Sequence, residues 1–334
     1  MMKCSRSPLR VSLFGGGTDY PEFFFKHDFG LVVGFTINKY IRTVVTDLSP
    51  VLGSRIKMSY RIVEEVASVS DLQHPLVREV LLQNKFTKPV NISTMADLPG
   101  QTGLGSSSAF AAGFIQLINS VLDRQELSKD ALAKEAVRFE RKILSEEGGL
   151  QDQYHTAFGG FNAIRFSPKG VYVQPLKINE TLLNLINEHL VLIYSGKRSK
   201  QQVGGQNQAG NLMHKANPKS LLMMREITEQ GIELLMSQHN VEQSFIQICD
   251  LLQKSWRLKQ EANMGVSNPT VGRIYEKAME MGALAGKLCG AGDGGFLVFF
   301  APMDVQNEMK KVFKNVLCTD VVISNSGSLV FDGV

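Results

Sequence analysis

The sequence predicts an α+β protein built as two layered units. Three observations carry that prediction. The chain has 334 residues, 43% apolar and 20% charged, enough for roughly two domains with sizeable cores and too apolar for a disordered chain. Segments of β-rich character are interleaved with helical ones, but without strict βαβ repetition. A soft boundary falls near residues 185–200, dividing the chain into units 1–190 and 191–334.

Runs at 9–14, 31–37, 40–47, 55–60 and 90–95 are alternating or continuously apolar and bounded by Gly, Pro, Asp and Ser, which predicts strands. Ser70-Asp71-Leu72-Gln73 has capping-box spacing and opens a predicted helix ending at about Asn84. The pattern turns helical at Ser106 through Leu122, and again from Ser128 to about Leu144. Segments 158–166 and 171–176 predict a return hairpin, and 189–194 a strand stopped by Ser195-Gly196. Residues 218–263 are mostly helical, rich in Leu, Met, Glu and Gln. The last quarter predicts helix 270–282, strand 284–289, a glycine loop, strand 296–300, helix 303–315 and strand 319–324.

Charge and cysteine usage exclude several classes of protein. Lys plus Arg (36) exceed Asp plus Glu (32) by only 4, too little to coat a polyanion, so nucleic acid is not the expected partner. Cys4, Cys249, Cys289 and Cys318 are scattered, with no C-x-x-C pair, which predicts a reduced, cytoplasmic chain without structural zinc. The first residues lack an apolar h-region, so no signal peptide is expected. The longest greasy stretch, 109–122, contains Gln116, Asn119 and Ser120 and is too short to span a bilayer, so no membrane is expected either.

The 30 glycines are about 9% of the chain against a usual ~7%, and ten of them fall in three short windows, 15–17, 100–105 and 290–295. The window Asp97 to Ala109 holds Gly100, Gly103, Leu104 and Gly105, then Ser106, Ser107 and Ser108 at the mouth of a long apolar helix. Helix-start N–H groups and serine hydroxyls suit a phosphate or Mg2+; the same pattern also fits an ordinary serine cap after a glycine turn. It is not a Walker A loop, because no Lys follows Gly105. The window 290–295 spells G-x-G-x-x-G but leads into a strand, so a dinucleotide site fails on context. It reads either as a structural turn or as a hairpin, including Gly290 and Gly292, closing on a phosphate loop. In the first window a strand carries Arg10, ends in Gly15, Gly16 and Gly17, and continues Thr18-Asp19-Tyr20. Asp19 is either a polyol ligand or the N-cap of a helix at Pro21.

In this order the three windows resemble the motifs of the GHMP kinase superfamily, over essentially the whole chain. The middle motif, P-x-x-x-G-L-G-S-S, is the most specific, matched by Pro99, Gly103, Leu104, Gly105, Ser106 and Ser107. The resemblance implies an N-terminal domain like ribosomal protein S5 domain 2, a ferredoxin-like C-terminal domain, ATP and Mg2+, and a small-molecule substrate, with homodimerisation left open. Galactokinases read G-E-H-T-D-Y where this chain reads Gly15-Gly16-Gly17-Thr18-Asp19-Tyr20. The first window is instead similar to that of the D-glycero-D-manno-heptose 7-phosphate kinases and, more distantly, the L-fucokinase domain, as is Gly148 to Asn162. That similarity implies phosphorylation of a sugar's anomeric hydroxyl.

By the same resemblance, Asp152 is the base or orienting carboxylate and Arg10 the basic residue beside it and the γ-phosphate. Glu140, twelve residues before Asp152, and Ser107 would hold Mg2+. Gly103 to Ser108, with Gly290 and Gly292, would meet ATP. Gly16, Gly17, Thr18 and Asp19 would meet the sugar. Glu140 also fits a solvated face of its amphipathic run. Within 196–200, Lys197, Arg198 and Lys200 cluster three cations, so either Arg198 or Lys197 meets a phosphate of substrate or nucleotide, or the cluster is a solvated charge run.

Overall fold

A computed structural model describes residues 1–49, 51, 53, 55–196, 216–262, 268–290, 292–314 and 316–333. Its strands are β1 (Met2–Phe14), β2 (Gly30–Asp47), β3 (Ile56–Ser59), β4 (Val63–Val66), β5 (Val90–Ala96), β6 (Phe161–Ser167), β7 (Gly170–Pro175), β8 (Leu190–Tyr194), β9 (Ala285–Leu288), β10 (Phe296–Phe300), β11 (Cys318–Asp320) and β12 (Leu329–Asp332). Its helices are α1 (Pro21–Phe24), α2 (Pro75–Gln83), α3 (Ser106–Val121), α4 (Lys129–Val137), α5 (Gln151–Phe158), α6 (Glu180–His189), α7 (Pro218–Leu235), α8 (Val241–Glu261), α9 (Pro269–Glu280) and α10 (Met303–Val312).

The strands form two sheets. The first follows the order β12-β1-β2-β5-β3-β4, with the β6–β7 hairpin attached to β2. The runs 31–37 and 40–47 are one strand, because β1 pairs along both halves, from Met2↔Thr46 to Phe14↔Val33. The other edge of β2 is divided between β6, which takes residues 30–35, and β5, which takes 41–47. The second sheet, β11-β8-β10-β9, is antiparallel throughout. The last strand returns to the first sheet, pairing Lys3↔Asp332 through Arg6↔Leu329.

Helix α3 lies on β1 and β2 and is buried on almost every side after its first turn, as its apolar run predicts. Helix α7 packs against β1 and β2 as well as α8, while α8 covers β9. Among the described residues, no helix is long and apolar enough to cross a membrane.

Several boundaries differ from expectation for local reasons. The capping box at Ser70 does not form: Gln73 N–H donates to the Glu64 carboxylate, and α2 starts only at Pro75. Helix α4 ends at Val137 and continues as a π-turn, Arg138–Ile143. The predicted strand 319–324 is cut to three residues, with Ile323 making a single bridge to Ile37. The predicted hairpin forms as β6 and β7, whereas helix α5, just before it, is unexpected. Its polar residues Gln151, Gln153, His155 and Thr156 are all buried, so its sequence lacks the wet face that reveals an amphipathic helix.

Candidate active site

The second and third glycine windows meet. A Cβ at Gly103, whose φ is +84°, would lie 2.3 Å from Cys289 O, so only glycine permits this approach. Phe296 N–H donates to Thr102 O at 2.9 Å. The turn between them is braced from outside: Lys259 Nζ donates to Gly290 O (2.6 Å) and Asn268 Nδ2 to Asp293 O (2.9 Å). Gly290 and Gly292 thus belong to a hairpin lying against the loop Gly103-Leu104-Gly105. Ser106, Ser107 and Ser108 form the first turn of α3, whose opening N–H groups and dipole favour an anion.

Strand β1 brings Arg10 to the same place. Its backbone N–H donates to Leu104 O at 3.0 Å, and Nη1 donates to Gly103 O. The rest of the guanidinium grips Asp152 with two parallel bonds, Nε to Oδ1 (2.8 Å) and Nη2 to Oδ2 (2.6 Å). Charged, bidentate pairs of this kind are among the strongest and most directional hydrogen bonds. Asp152 occupies the second position of α5, and its side chain is 25% exposed against 5% for Arg10. The carboxylate is therefore the accessible end of the pair, beside Gly105, whose Cβ position is 3.4 Å from Asp152 Oδ2.

Glu140 lies on the π-turn and is 3% exposed, which overturns the reading of it as solvated surface. Ser107 Oγ donates to its Oε1 at 2.9 Å and Ser108 Oγ to its Oε2 at 2.8 Å, with Gln153 Nε2 donating to Oε2 as well. Burial, with the charge of Glu146 added, pushes this carboxyl up to about 7. Among the described residues, no group of three His, Cys, Asp or Glu is placed to hold a metal. The donor set here is one carboxylate with serine hydroxyls and the buried, unpartnered Gln153 Oε1, all hard oxygens. Such a set fits Mg2+, which binds through one or two carboxylates and completes its shell with water and phosphate.

On the other side of Asp152, the first window folds into a turn around Thr18 and Asp19. Thr18 Oγ1 donates to Gly15 O (2.8 Å) and accepts Leu31 N–H (3.0 Å), so its hydroxyl holds the loop. Asp19 is fully buried and does not cap α1, whose N-cap is Tyr20. Its carboxylate accepts N–H from Gly17 (2.9 Å) and Gln151 (3.2 Å), and the Gln151 side-chain amide at 3.0 Å. Burial raises this carboxyl above the usual range, and the charge of Asp152 raises it further. A Cβ at Gly149 would sit 1.9 Å from Asp19 Oδ2, so the Gly148-Gly149 turn is what lets the carboxylate approach α5. Gly16 faces Ser12 Oγ and the Gln151 amide.

The structure therefore gathers Arg10, Gly103 to Ser108, Glu140, Asp152, Gly290 and Gly292 around one junction, with Gly16, Gly17, Thr18 and Asp19 adjoining it through Gln151. Arg198, with Lys197 and Lys200, lies outside the described residues. Gln151, Gln153, His155 and Lys287 were not singled out from the sequence. For the two glutamines the available signal was their position flanking Asp152. His155 is fully buried with neither ring nitrogen partnered, and burial together with the charge of Arg10 lowers it to about 3.

Comparison with known proteins identifies relatives of the whole chain. The model of the GHMP kinases N terminal domain matches residues 74–160, and that of the GHMP kinases C terminal region matches 234–315. The chain is 32% identical over 321 residues, 93% of each protein, to the D-glycero-alpha-D-manno-heptose 7-phosphate kinase of Campylobacter jejuni subsp. jejuni. It is 25% identical over 337 residues to a bifunctional fucokinase/GDP-fucose pyrophosphorylase of Arabidopsis thaliana, matching 88% of this chain and 29% of that protein. In fold it resembles a D-glycero-D-manno-heptose 1-phosphate kinase from Bacteriodes thetaiotaomicron, with a TM-score of 0.76, 22% identity and 99% of both chains covered. It also resembles the mevalonate kinase of Methanococcus jannaschii, with a TM-score of 0.72, 14% identity, and 96% of this chain and 98% of that one covered.

Proposed function

The chain belongs to the GHMP kinases, phosphotransferases that act on an alcohol group, and from that premise we propose that it transfers the γ-phosphoryl of ATP to the anomeric C1 hydroxyl of a sugar. The sugar proposed is D-glycero-D-manno-heptose 7-phosphate, giving the 1,7-bisphosphate and ADP. The observation that carries this reading is the position of Asp152. It is paired with Arg10 beside the glycine loop, while its neighbour Gln151 grips Asp19 on the acceptor side.

Phosphoryl transfer passes through a loose transition state, so positioning and charge stabilisation supply most of the catalysis. The N–H groups opening α3, with Gly103 to Gly105 and the hairpin at Gly290 and Gly292, would hold the triphosphate. Asp152 would accept or orient the proton of the attacking hydroxyl. Arg10 would fix that carboxylate and stabilise charge on the phosphoryl group in flight. Gly16, Gly17 and Asp19 would orient sugar hydroxyls. Ser107 and Glu140 are the side chains that would hold Mg2+, which supplies charge neutralisation on the β- and γ-phosphates. We further assign residues 1–190 to the nucleotide-binding domain and 191–334 to the C-terminal domain, except that the last strand, β12, crosses back to pair with β1 in the first sheet. The four cysteines are free thiols, which suits a reducing cytoplasm.

The deciding experiment is an ADP-release screen of heptose 7-phosphate, mannose, fucose, galactose and mevalonate, with the product position read by phosphorus NMR. Turnover of the heptose phosphate with new phosphate on C1 is the expected result. Turnover confined to fucose would favour the fucokinase-like alternative, and phosphate on any other carbon would overturn the reading.

A further inference from the structure

Lys287 stands apart from the rest of the second sheet. It belongs to β9 and is 2% exposed, yet its ammonium reaches out of that sheet to donate to Ser12 O (2.9 Å) and Leu13 O (3.0 Å) of β1. Both acceptors lie where the β1–β2 register shifts, between Ser12 and Phe14. They follow Arg10 by two and three residues and precede Gly15, the start of the first glycine window, by three and two. Two residues past Lys287, Cys289 O lies against Gly103, and Gly290 O is held by Lys259. One short segment, 287–290, therefore touches the acceptor-side strand end and the phosphate loop together.

A buried ammonium is costly unless it is paired, and none of the ion pairs among the described residues involves Lys287. Two carbonyl dipoles hold it in place of a carboxylate. Burial lowers it to about 8; neighbouring Cys289 opposes that shift and the charge of Arg10 adds to it. An apolar side chain of similar length would fill this place without that desolvation cost. What it would lack is a donor that fastens the end of β1 to the strand carrying the closing hairpin.

We propose that Lys287 is a positioning residue for phosphoryl transfer, setting the spacing between the acceptor-side loop at 15–19 and the phosphate loop at 103–108. It would act without contacting either ligand, through Ser12 and Leu13 on one side and through the segment 289–290 on the other. This inference rests on the kinase reading above. It predicts that losing the donor misaligns the two ligands while leaving each able to bind.

The test compares Lys287→Met, which keeps the aliphatic stem but removes the donors, with Lys287→Arg, which keeps donors. Lys287→Met is expected to lower kcat by roughly 30-fold or more while moving the KM for ATP and the affinity for a non-hydrolysable ATP analogue by less than about threefold. Lys287→Arg should recover activity to within about tenfold of wild type. Amide exchange in Lys287→Met should rise in the segment 12–20 and stay unchanged in β5. Unchanged kcat, ATP affinity falling in step with kcat, or unchanged exchange at 12–20 would each overturn the proposal. So would failure of both variants to fold, which would make Lys287 structural. Should Lys287→Met alone fail to fold, a folded Lys287→Arg with kcat within about tenfold of wild type and unchanged KM for ATP supports the proposal; any other result for that variant overturns it. If the wild-type protein releases no ADP with any sugar, the kinase reading fails, and the exchange result still decides whether Lys287 sets the loop.

Discussion

Arg10 and Asp152, 142 positions apart in the chain, meet in a bidentate pair whose two bonds measure 2.8 and 2.6 Å. Arg10 is walled in by Gly103 O and Leu104 O, whereas Asp152 keeps an open edge. The pair thus joins a fixed cation to a presented carboxylate, at the point where the phosphate loop and the acceptor-side turn adjoin.

Asp152→Asn keeps the shape of the side chain and removes its charge. Turnover should fall by two orders of magnitude or more, roughly the weight of a positioned acid–base group, while ATP affinity is spared. Steady-state kinetics with calorimetric titration of nucleotide tests both halves, and near-normal turnover would dismiss the assignment. Arg10→Lys should also be damaging, because a point ammonium cannot reproduce the two parallel bonds.

Glu140→Gln keeps one acceptor oxygen for Ser108 and Gln153 and turns its amide NH2 towards Ser107 Oγ, which can accept, but it deletes the buried carboxylate at the mouth of α3. The Mg2+ concentration for half-maximal activity should rise about tenfold, with little loss of folding stability, since the buried carboxyl gives up a desolvation cost with its charge. Activity titrated with Mg2+ at fixed ATP measures this. An unchanged Mg2+ requirement would remove Glu140 from the site.

His155 carries a pH prediction. Its folded value, lowered to about 3, lies below the ordinary value of 6.5, so the unfolded chain takes up the proton first as pH falls. Its contribution is complete above about pH 6.5 and is lost progressively as pH drops towards 3. Between pH 7.5 and pH 5, wild type should lose about 2 kcal/mol more stability than His155→Gln, from 1.36 kcal/mol per pH unit below 6.5. Urea unfolding of both proteins at the two pH values reads the difference, and parallel losses would contradict it.

Gly103→Ala places a Cβ 2.3 Å from Cys289 O on a backbone with φ of +84°. The two loops must separate or the backbone must strain, at a cost of about 1–3 kcal/mol. The melting temperature should fall by several degrees for a chain of this size, and ATP affinity should fall with it. Thermal melts with and without ATP check both effects. An unshifted melt would mean that the contact between loops is not maintained in solution.

The site was legible in the sequence where a residue type and a glycine pattern coincide. Arg10, Gly103 to Ser108, Asp19 and Asp152 all belong to such windows, and the GHMP kinase fold follows from their order. Glu140 was harder, since an acidic residue on an amphipathic run reads equally as surface until the π-turn rotates it inward. Gln151, Gln153 and His155 were hidden because buried polar residues break the apolar periodicity from which a short helix is read. Lys287 sits between apolar strand residues and looks like any solvated lysine, because nothing local reports that its ammonium reaches a strand some 275 residues away.

By itself the sequence determined the α+β class, the three glycine windows and their order along the chain. These are local properties, set by periodicity, turn chemistry and residue type within a dozen positions. Only the tertiary structure decided which windows touch and which side chains lie between them. The contact of Gly103 with Cys289, the pair of Arg10 with Asp152 and the reach of Lys287 to Ser12 all join segments more than ninety residues apart. Such contacts depend on how helices and sheets pack on one another, and the free energy that selects the packing comes from burial summed over the whole core, which no short stretch of sequence contains.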